Sequence, residues 1–504
     1  MIARSFLTAA ALAASLAAAT GAEAAAPSPP PPRATTLPPL VAGDEPIVVT
    51  QHRIVTARGP LAYEARAGRL PIRNAETGEV RGWVFFTAYV VKPPPGAQPR
   101  PLMFAWNGGP TGPAVLVQTE LLGPRRIEGA RFVDNAESLL YASDLVFMDP
   151  IETGFSRPAK PEFDKEFLST LGDFAQTAEF IRAWRVKFAA EKQPLFLFGE
   201  SYGTWRVNGA TEILQKRGIK VAGAVLLSGG VPGSLMPFEF QDAYYIPART
   251  AAAFHHKRLA PDLMADREAT LKAVDAWVSG TYMPALQRVN DLSDAERETV
   301  ANDLARFTGM PPASIDRKTL VQSNRAYLQG FFGGDRAKTL NTYDMRIFGP
   351  EREAPGYKAA VTDYLRGELG YRTDLNYVDL EEGYMPTPGP ARRSTGSRWD
   401  YNHTTVTPEM MAHMNAGGGP PASQPWLQNA MRADPDLKVF VAAGRYDSLN
   451  MCEGNLKMTG KLEPALSARF ADHCYEGGHM MYRVQATRLQ LAKDLEAFVK
   501  AAGK

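Results

Sequence analysis

Leu195-Phe196-Leu197-Phe198-Gly199-Glu200-Ser201-Tyr202-Gly203 is the stretch on which the fold turns. Four consecutive apolar residues after Pro194 read as a strand buried on both faces. Tyr202 to Gln215 can form a helix, so the chain passes from strand to tight turn to helix around one serine. Glycines two residues to either side of Ser201 let such a turn close without steric conflict. The turn presents the serine hydroxyl at the end of the strand, as a nucleophile elbow does. G-x-S-x-G alone is a weak pattern in a chain with 43 glycines. The strand before it and the helix after it carry the reading.

Moving outward, short apolar runs recur at Leu102 to Trp106, Leu145 to Met148, Val221 to Leu227 and Leu437 to Ala442. Helical patterns alternate with them. Thr170 and Asp173 read as a capping box for a helix whose inner side carries Phe174, Ala178, Ile181 and Phe188. The last helix, about Val484 to Lys500, is expected to bury Leu491, Leu495 and Phe498. This alternation predicts an α/β-hydrolase fold, with a mainly parallel central sheet flanked by helices. Ile47 to Thr56, Leu61 to Ala67 and Gly82 to Val91 read as antiparallel strands leading into that sheet. From about 231 to 424 the alternation fails, and helical stretches such as Asp262 to Trp277 are separated by long loops. That region reads as a large inserted cap within a catalytic domain spanning 46–504.

A serine hydroxyl needs a base, and the base needs an orienting acid. The fold orders them serine, acid, histidine, on loops after later strands. Asp447 follows the strand Leu437 to Ala442, and His479 follows Gly477-Gly478 with a helix after it. Among the other histidines, His52 precedes the core and His255, His256, His403 and His413 fall in the insertion. His473 reads as part of a strand, and Asp472 is too close to His479 in sequence to come from a separate strand end. The oxyanion donors expected are the backbone N–H of Tyr202 and one from Asn107-Gly108-Gly109-Pro110, the loop after an earlier strand.

Composition bounds the partners. The chain has 504 residues, 45% hydrophobic and 22% charged, enough for a large core. A net charge of +2 without basic clusters gives no case for a nucleic-acid partner. Arg4 precedes an apolar run from Phe6 to Ala19, and Ala22-Glu23-Ala24 and Ala24-Ala25-Ala26 offer small residues at the positions a signal peptidase reads. Residues 1–26 therefore read as a signal peptide rather than a membrane anchor, 27–45 as a proline-rich linker, and the protein as periplasmic or secreted. Cys452 and Cys474 are the whole cysteine complement. They form a disulfide candidate in an oxidising compartment, two buried thiols otherwise, and no zinc spacing.

Together these segments resemble the serine carboxypeptidase family, in a bacterial-type member. Asn107-Gly108-Gly109-Pro110 is similar to the start of its N-G-G-P-G-x-S-S motif, and Gly199 to Gly203 reproduces G-E-S-Y-G. Pro150 to Ser156 is similar to P-V-G-T-G-F-S, and Gly477-Gly478-His479-Met480 to the histidine loop G-x-G-H-M, with Glu476 in place of its first glycine. The resemblance implies cleavage of the peptide bond next to a free C-terminal carboxylate, with no cofactor or metal. It implies that Asn107 and Glu200 hold that carboxylate, Glu200 through a shared proton. Gly109 then supplies an oxyanion N–H, and Met480 lines the leaving-residue pocket. Two anions at close range cannot both stay ionised, so acidic pH is expected to favour binding.

Four further departures accompany the match. Thr111-Gly112-Pro113-Ala114 replaces G-x-S-S, and Ala105 stands where the family has tryptophan, with Trp106 adjacent. Leu121 falls at the position of a second glutamate in the eukaryotic enzymes, with Glu120 one residue earlier as a substitute substrate-binding candidate. Glu152 replaces a glycine. Because Cys452 lies soon after Asp447 and Cys474 shortly before His479, a disulfide is expected to tie the acid loop to the base loop. The same triad would serve an esterase or acyltransferase, and a binding protein on an inactive scaffold is the non-enzymatic alternative.

Overall fold

The structure is a computed structural model, and it describes residues 44–229, 241–381, 398–415 and 423–503. The expected signal peptide, nearly all of the proline-rich linker and residues 231–240, 382–397 and 416–422 of the expected cap lie outside these residues.

Twelve strands are described. β1 (Val48–Thr56), β2 (Gly59–Arg73) and β3 (Val80–Val90) form an antiparallel meander. The turn at Asn74–Glu79 is closed by Asn74 Oδ1, which accepts from the N–H groups of Glu76 and Thr77. β4 (Leu102–Trp106), β7 (Asp144–Met148), β9 (Leu195–Glu200), β10 (Gly223–Leu227), β11 (Lys438–Gly444) and β12 (Phe470–Tyr475) are parallel. β5 (Arg125–Glu128) and β6 (Arg131–Asp134) make a separate hairpin, and β8 (Arg157–Pro158) pairs with the edge of β3. The sheet order is β1-β2-β3-β7-β4-β9-β10-β11-β12. β4, β7, β9 and β10 are buried along their whole lengths, which explains their unbroken apolar runs. This is the α/β-hydrolase fold.

The order sets the site. From β4 the chain goes outward to β7, then crosses back to place β9 on the other side of β4. A crevice opens where strand order reverses, outside the carboxyl ends of the parallel strands. Ser201 after β9 and Asn107 after β4 lie at that reversal.

Three local readings are corrected. The helix Thr170–Lys187 is capped by Ser169, whose hydroxyl accepts from Gly172 N–H, so Thr170 and Asp173 form no capping box. Asp173 turns inward to a buried partner instead. The helix expected from Asp262 begins at Arg267 with Asp266 as its cap, because the Asp266 carboxylate accepts from Ala269 N–H. In the last helix, Gln485–Ala502, Leu491 and Leu495 are fully buried, while Phe498 is half-buried against Phe196 and Phe440.

Between β10 and β11 the described chain is helix and loop. Residues from Ala243 to Met345 build a second hydrophobic core, joined by Tyr446 from the loop after β11. Tyr357, Val361, Tyr364, Leu365 and Tyr371 return to the core of the sheet. Glu152 has a positive φ of 72°, the conformation glycine adopts most easily, which explains a family glycine there. In this chain its carboxylate pairs with Arg398, which also pairs with Asp164.

Candidate active site

The elbow is strained. Ser201 has φ 58°, a left-handed conformation unusual for a residue with a Cβ. It is held on both sides, with Ser201 N–H donating to Leu227 O and Thr204 N–H to Ser201 O. Gly108 explains why the oxyanion loop begins with glycine. A Cβ there would lie 2.6 Å from Tyr202 N and 2.7 Å from Ser201 Cβ. The loop thus lies directly against the turn, and Gly109 beside it is exposed. Among the described residues, neither Tyr202 N–H nor Gly109 N–H donates to an internal acceptor. Backbone donors left open in this way can meet charge that develops on a substrate oxygen.

His479 and Asp447, expected as base and orienting acid, are brought together. His479 Nδ1 lies 2.8 Å from Asp447 Oδ2, and both side chains are buried. Asp447 Oδ1 accepts from Leu449 N–H, and Oδ2 also accepts from Asn450 Nδ2. A carboxylate so engaged accepts the imidazole Nδ1–H and leaves Nε2 as the acceptor for a serine proton. Burial works against protonated His479, but Asp447, by charge and hydrogen bond, and then Glu200 outweigh it, so its pKa lies above the usual value. The loops carrying acid and base touch through glycine: a Cβ on Gly444 would lie 2.0 Å from Gly478 O.

Glu200, one residue before the nucleophile, is 2% exposed. Its Oε2 accepts from Asn107 Nδ2 at 3.0 Å and from the Tyr482 hydroxyl at 2.9 Å. Asn107 is fixed in turn, its Oδ1 accepting from Leu116 and Val117 N–H. Burial raises the Glu200 pKa to about 7, against the opposing charge of His479 and the Tyr482 hydrogen bond. Tyr482 gave no signal in sequence, since its partner lies 282 residues away.

The other expected site residues separate. Met480 is half-buried, directly after the base. Glu120 is drawn off by Arg483, which binds it through Nε at 2.7 Å and Nη2 at 2.9 Å and also pairs with Glu351. Leu121 is buried in the core. The insertion supplies a residue that sequence gave no reason to single out. Tyr343 is 38% exposed, with its ring centroid 5.3 Å from that of His479, and its carbonyl accepts the His479 N–H.

Cys452 and Cys474 are joined by a disulfide. The bond closes a loop across the acid and base segments, with a sequence separation of 22. Replacing both by serine is expected to lower stability by about 3 kcal/mol, the chain-entropy value for a loop of this size. Equal denaturant midpoints for the two proteins would show that the bond adds nothing.

Fold and site define a serine hydrolase of the α/β-hydrolase class. Residues 63–304 match the model of the serine carboxypeptidase family. The matched span contains the elbow and the oxyanion loop and ends before Asp447 and His479. Among solved structures, the chain is similar to the prohormone-processing carboxypeptidase Kex1 of Saccharomyces cerevisiae. Identity is 14%, coverage 87% of this chain and 92% of that one, and the TM-score 0.46. It is also similar to a thermostable carboxyl esterase from Bacillus coagulans, at 11% identity, 87% and 99% coverage and a TM-score of 0.35. A proline iminopeptidase from Mycobacterium smegmatis gives 10% identity, 86% and 99% coverage and a TM-score of 0.36. No curated protein matches the chain in sequence.

Proposed function

We propose that this protein is an exported, bacterial-type serine carboxypeptidase that removes C-terminal residues from peptides through an acyl-enzyme. Ser201 Oγ attacks the carbonyl of the last peptide bond while His479 Nε2 takes its proton. The oxyanion is met by the N–H groups of Tyr202 and Gly109. The imidazolium, stabilised by Asp447, then protonates the leaving amine, and water releases the acyl group by the same steps in reverse order. The signal-peptide pattern at residues 1–26 supports export to the periplasm or beyond. No helix among the described residues is long and apolar enough to cross a membrane.

The observation that carries the exopeptidase reading is Glu200, a buried carboxylate with a pKa near 7 beside the nucleophile and hydrogen-bonded to Asn107. Below that pH it is neutral and can share its proton with a substrate carboxylate. Above it, two anions would face each other. KM for peptides is therefore expected to rise by about tenfold per pH unit once Glu200 ionises, as one-proton linkage requires. Glu200→Gln is neutral at every pH, and its KM should stay flat across the same range. Neutral Glu200 also withdraws one of the charges raising His479, so binding and base release act in the same direction. A wild-type KM that does not respond between pH 6 and 8 would remove this role.

The deciding experiment is a C-terminal truncation assay on a mixed peptide library from acidic to mildly alkaline pH, with Ser201→Ala as control. Sequential loss of C-terminal residues is expected, and blocked C-termini should resist. The engagement of Glu120 by Arg483 favours a second reading, an esterase or acyltransferase with no need of a free carboxylate. Equal rates on free and amidated C-termini, or turnover of esters alone, would select it.

A further inference from the structure

Arg206 lies on the helix Gly203–Lys216, a little over one turn beyond the nucleophile, and it is completely buried. Its Nε lies 2.8 Å from Asp173 Oδ2 and 3.0 Å from Oδ1, and Asp173 is equally buried. The two remaining arms of the guanidinium point elsewhere. Nη1 donates to Asn107 O and Nη2 to Pro110 O, each at 3.0 Å. Those carbonyls stand at the two ends of the segment that contains Gly108 and Gly109. One side chain, rooted in the elbow helix, therefore grips the oxyanion loop at both ends.

The oxyanion hole combines donors from two separate segments, Tyr202 on the elbow and Gly109 on the loop after β4. Their separation must be fixed before substrate arrives, since donors that reorganise during the reaction lose much of their effect. Besides the side-chain bonds of Asn107 already described, two others reach this segment or the strand end before it. Trp106 Nε1 donates to Gly203 O at 2.8 Å, and Gly112 N–H donates to Gly108 O at 2.9 Å. The first holds the strand end, and the second closes the loop on itself. Arg206 alone among these bridges the elbow helix to both sides of the Gly108–Gly109 pair. Only a planar guanidinium supplies this geometry, because an ammonium cannot present separate donors to two carbonyls and a carboxylate in one fixed fork.

We propose that Arg206 is a positioning residue for catalysis, a buried clamp that sets the distance between the Tyr202 and Gly109 donors, with Asp173 as its counter-charge. The role rests on the serine-hydrolase reading of the site but not on peptide specificity, because an ester needs the same oxyanion hole. Misplacement of a donor by about an ångström is enough to cost on the order of 100-fold in rate.

The test is Arg206→Lys in the full-length protein, with rates on an activated ester and a peptide. Active sites are counted by completed fluorophosphonate labelling, so that unfolded protein does not enter the rate. The expected result is a fall in kcat per titrated site of about 10- to 100-fold on both substrates, with KM within about threefold. Affinity for a peptide aldehyde, which forms the tetrahedral adduct, should fall by the same factor as kcat/KM. If Arg206→Lys does not fold, the Arg206→Met/Asp173→Asn double variant leaves no unpaired buried charge and should show the same pattern. Wild-type kcat per titrated site, whatever happens to the melting temperature, would reduce the pair to a structural one and overturn the proposal. So would a change confined to KM. Ester turnover without peptide turnover in the parent protein would count against the exopeptidase function and leave this test intact.

Discussion

Ser201→Ala is expected to lower turnover by about a million-fold, to the residual rate of an intact oxyanion hole without a nucleophile. The loss follows from the elbow, which offers no second hydroxyl at that position: the neighbouring Tyr202 is buried, with its ring 5.7 Å from the Arg206 guanidinium. The melting temperature should barely move. Alanine keeps a Cβ at φ 58°, so the strain of the turn is the same before and after substitution. Fluorophosphonate labelling and peptide turnover should vanish together. Labelling that survives at another residue would show that the reacting serine has been misplaced.

Asp447→Asn is expected to lower kcat by about ten-thousand-fold with the fold intact. The carboxylate is an acceptor only, and at 2.8 Å it fixes the proton of His479 on Nδ1. An amide can turn a donor to that nitrogen, and the neighbouring Asn450 Nδ2, 3.3 Å from His479 Nδ1, adds a second. Imidazole then carries its proton on Nε2 and cannot act as a base. The support for the imidazolium during acyl transfer is lost at the same time. KM should change little. A loss of less than about tenfold would mean that another group orients His479 and that Asp447 is not the acid.

The parallel half of the sheet was legible because its strands are buried on both faces. Burial on both sides writes itself as an unbroken apolar run, as in Leu195 to Phe198. The elbow was legible for a different reason: glycine spacing, strand and helix all fall within some twenty consecutive residues. Asp447 and His479 followed from chain order. What stayed hidden was made by partners distant in sequence. Arg206 meets Asp173 across 33 residues and Asn107 across 99. Tyr343 sits in an insertion whose sequence has no period to read. Glu120 shows the limit of counting. Residues Val117–Leu122 form a turn of π-helix, and along it Leu121 faces the core while Glu120 faces Arg483. Sequence could offer Glu120 as a substitute for a missing glutamate, but it could not see the arginine that engages it.

The hairpin around Tyr343 has a consequence for attempts to re-engineer substrate choice. Leu340 and Phe348 bridge across it. Within it Thr342 O accepts from Ser448, Tyr343 O from the His479 N–H, and Met345 N–H donates to Tyr446 O. The cap is thereby moulded onto the main chain that presents acid and base. It is not a portable cassette: a graft from a relative would have to carry its own 340–348 segment together with matching loops after β11 and β12. The helices from Ala243 to Phe331 pack on a core of their own, and they are the stretch where foreign sequence can be exchanged with least disturbance to catalysis.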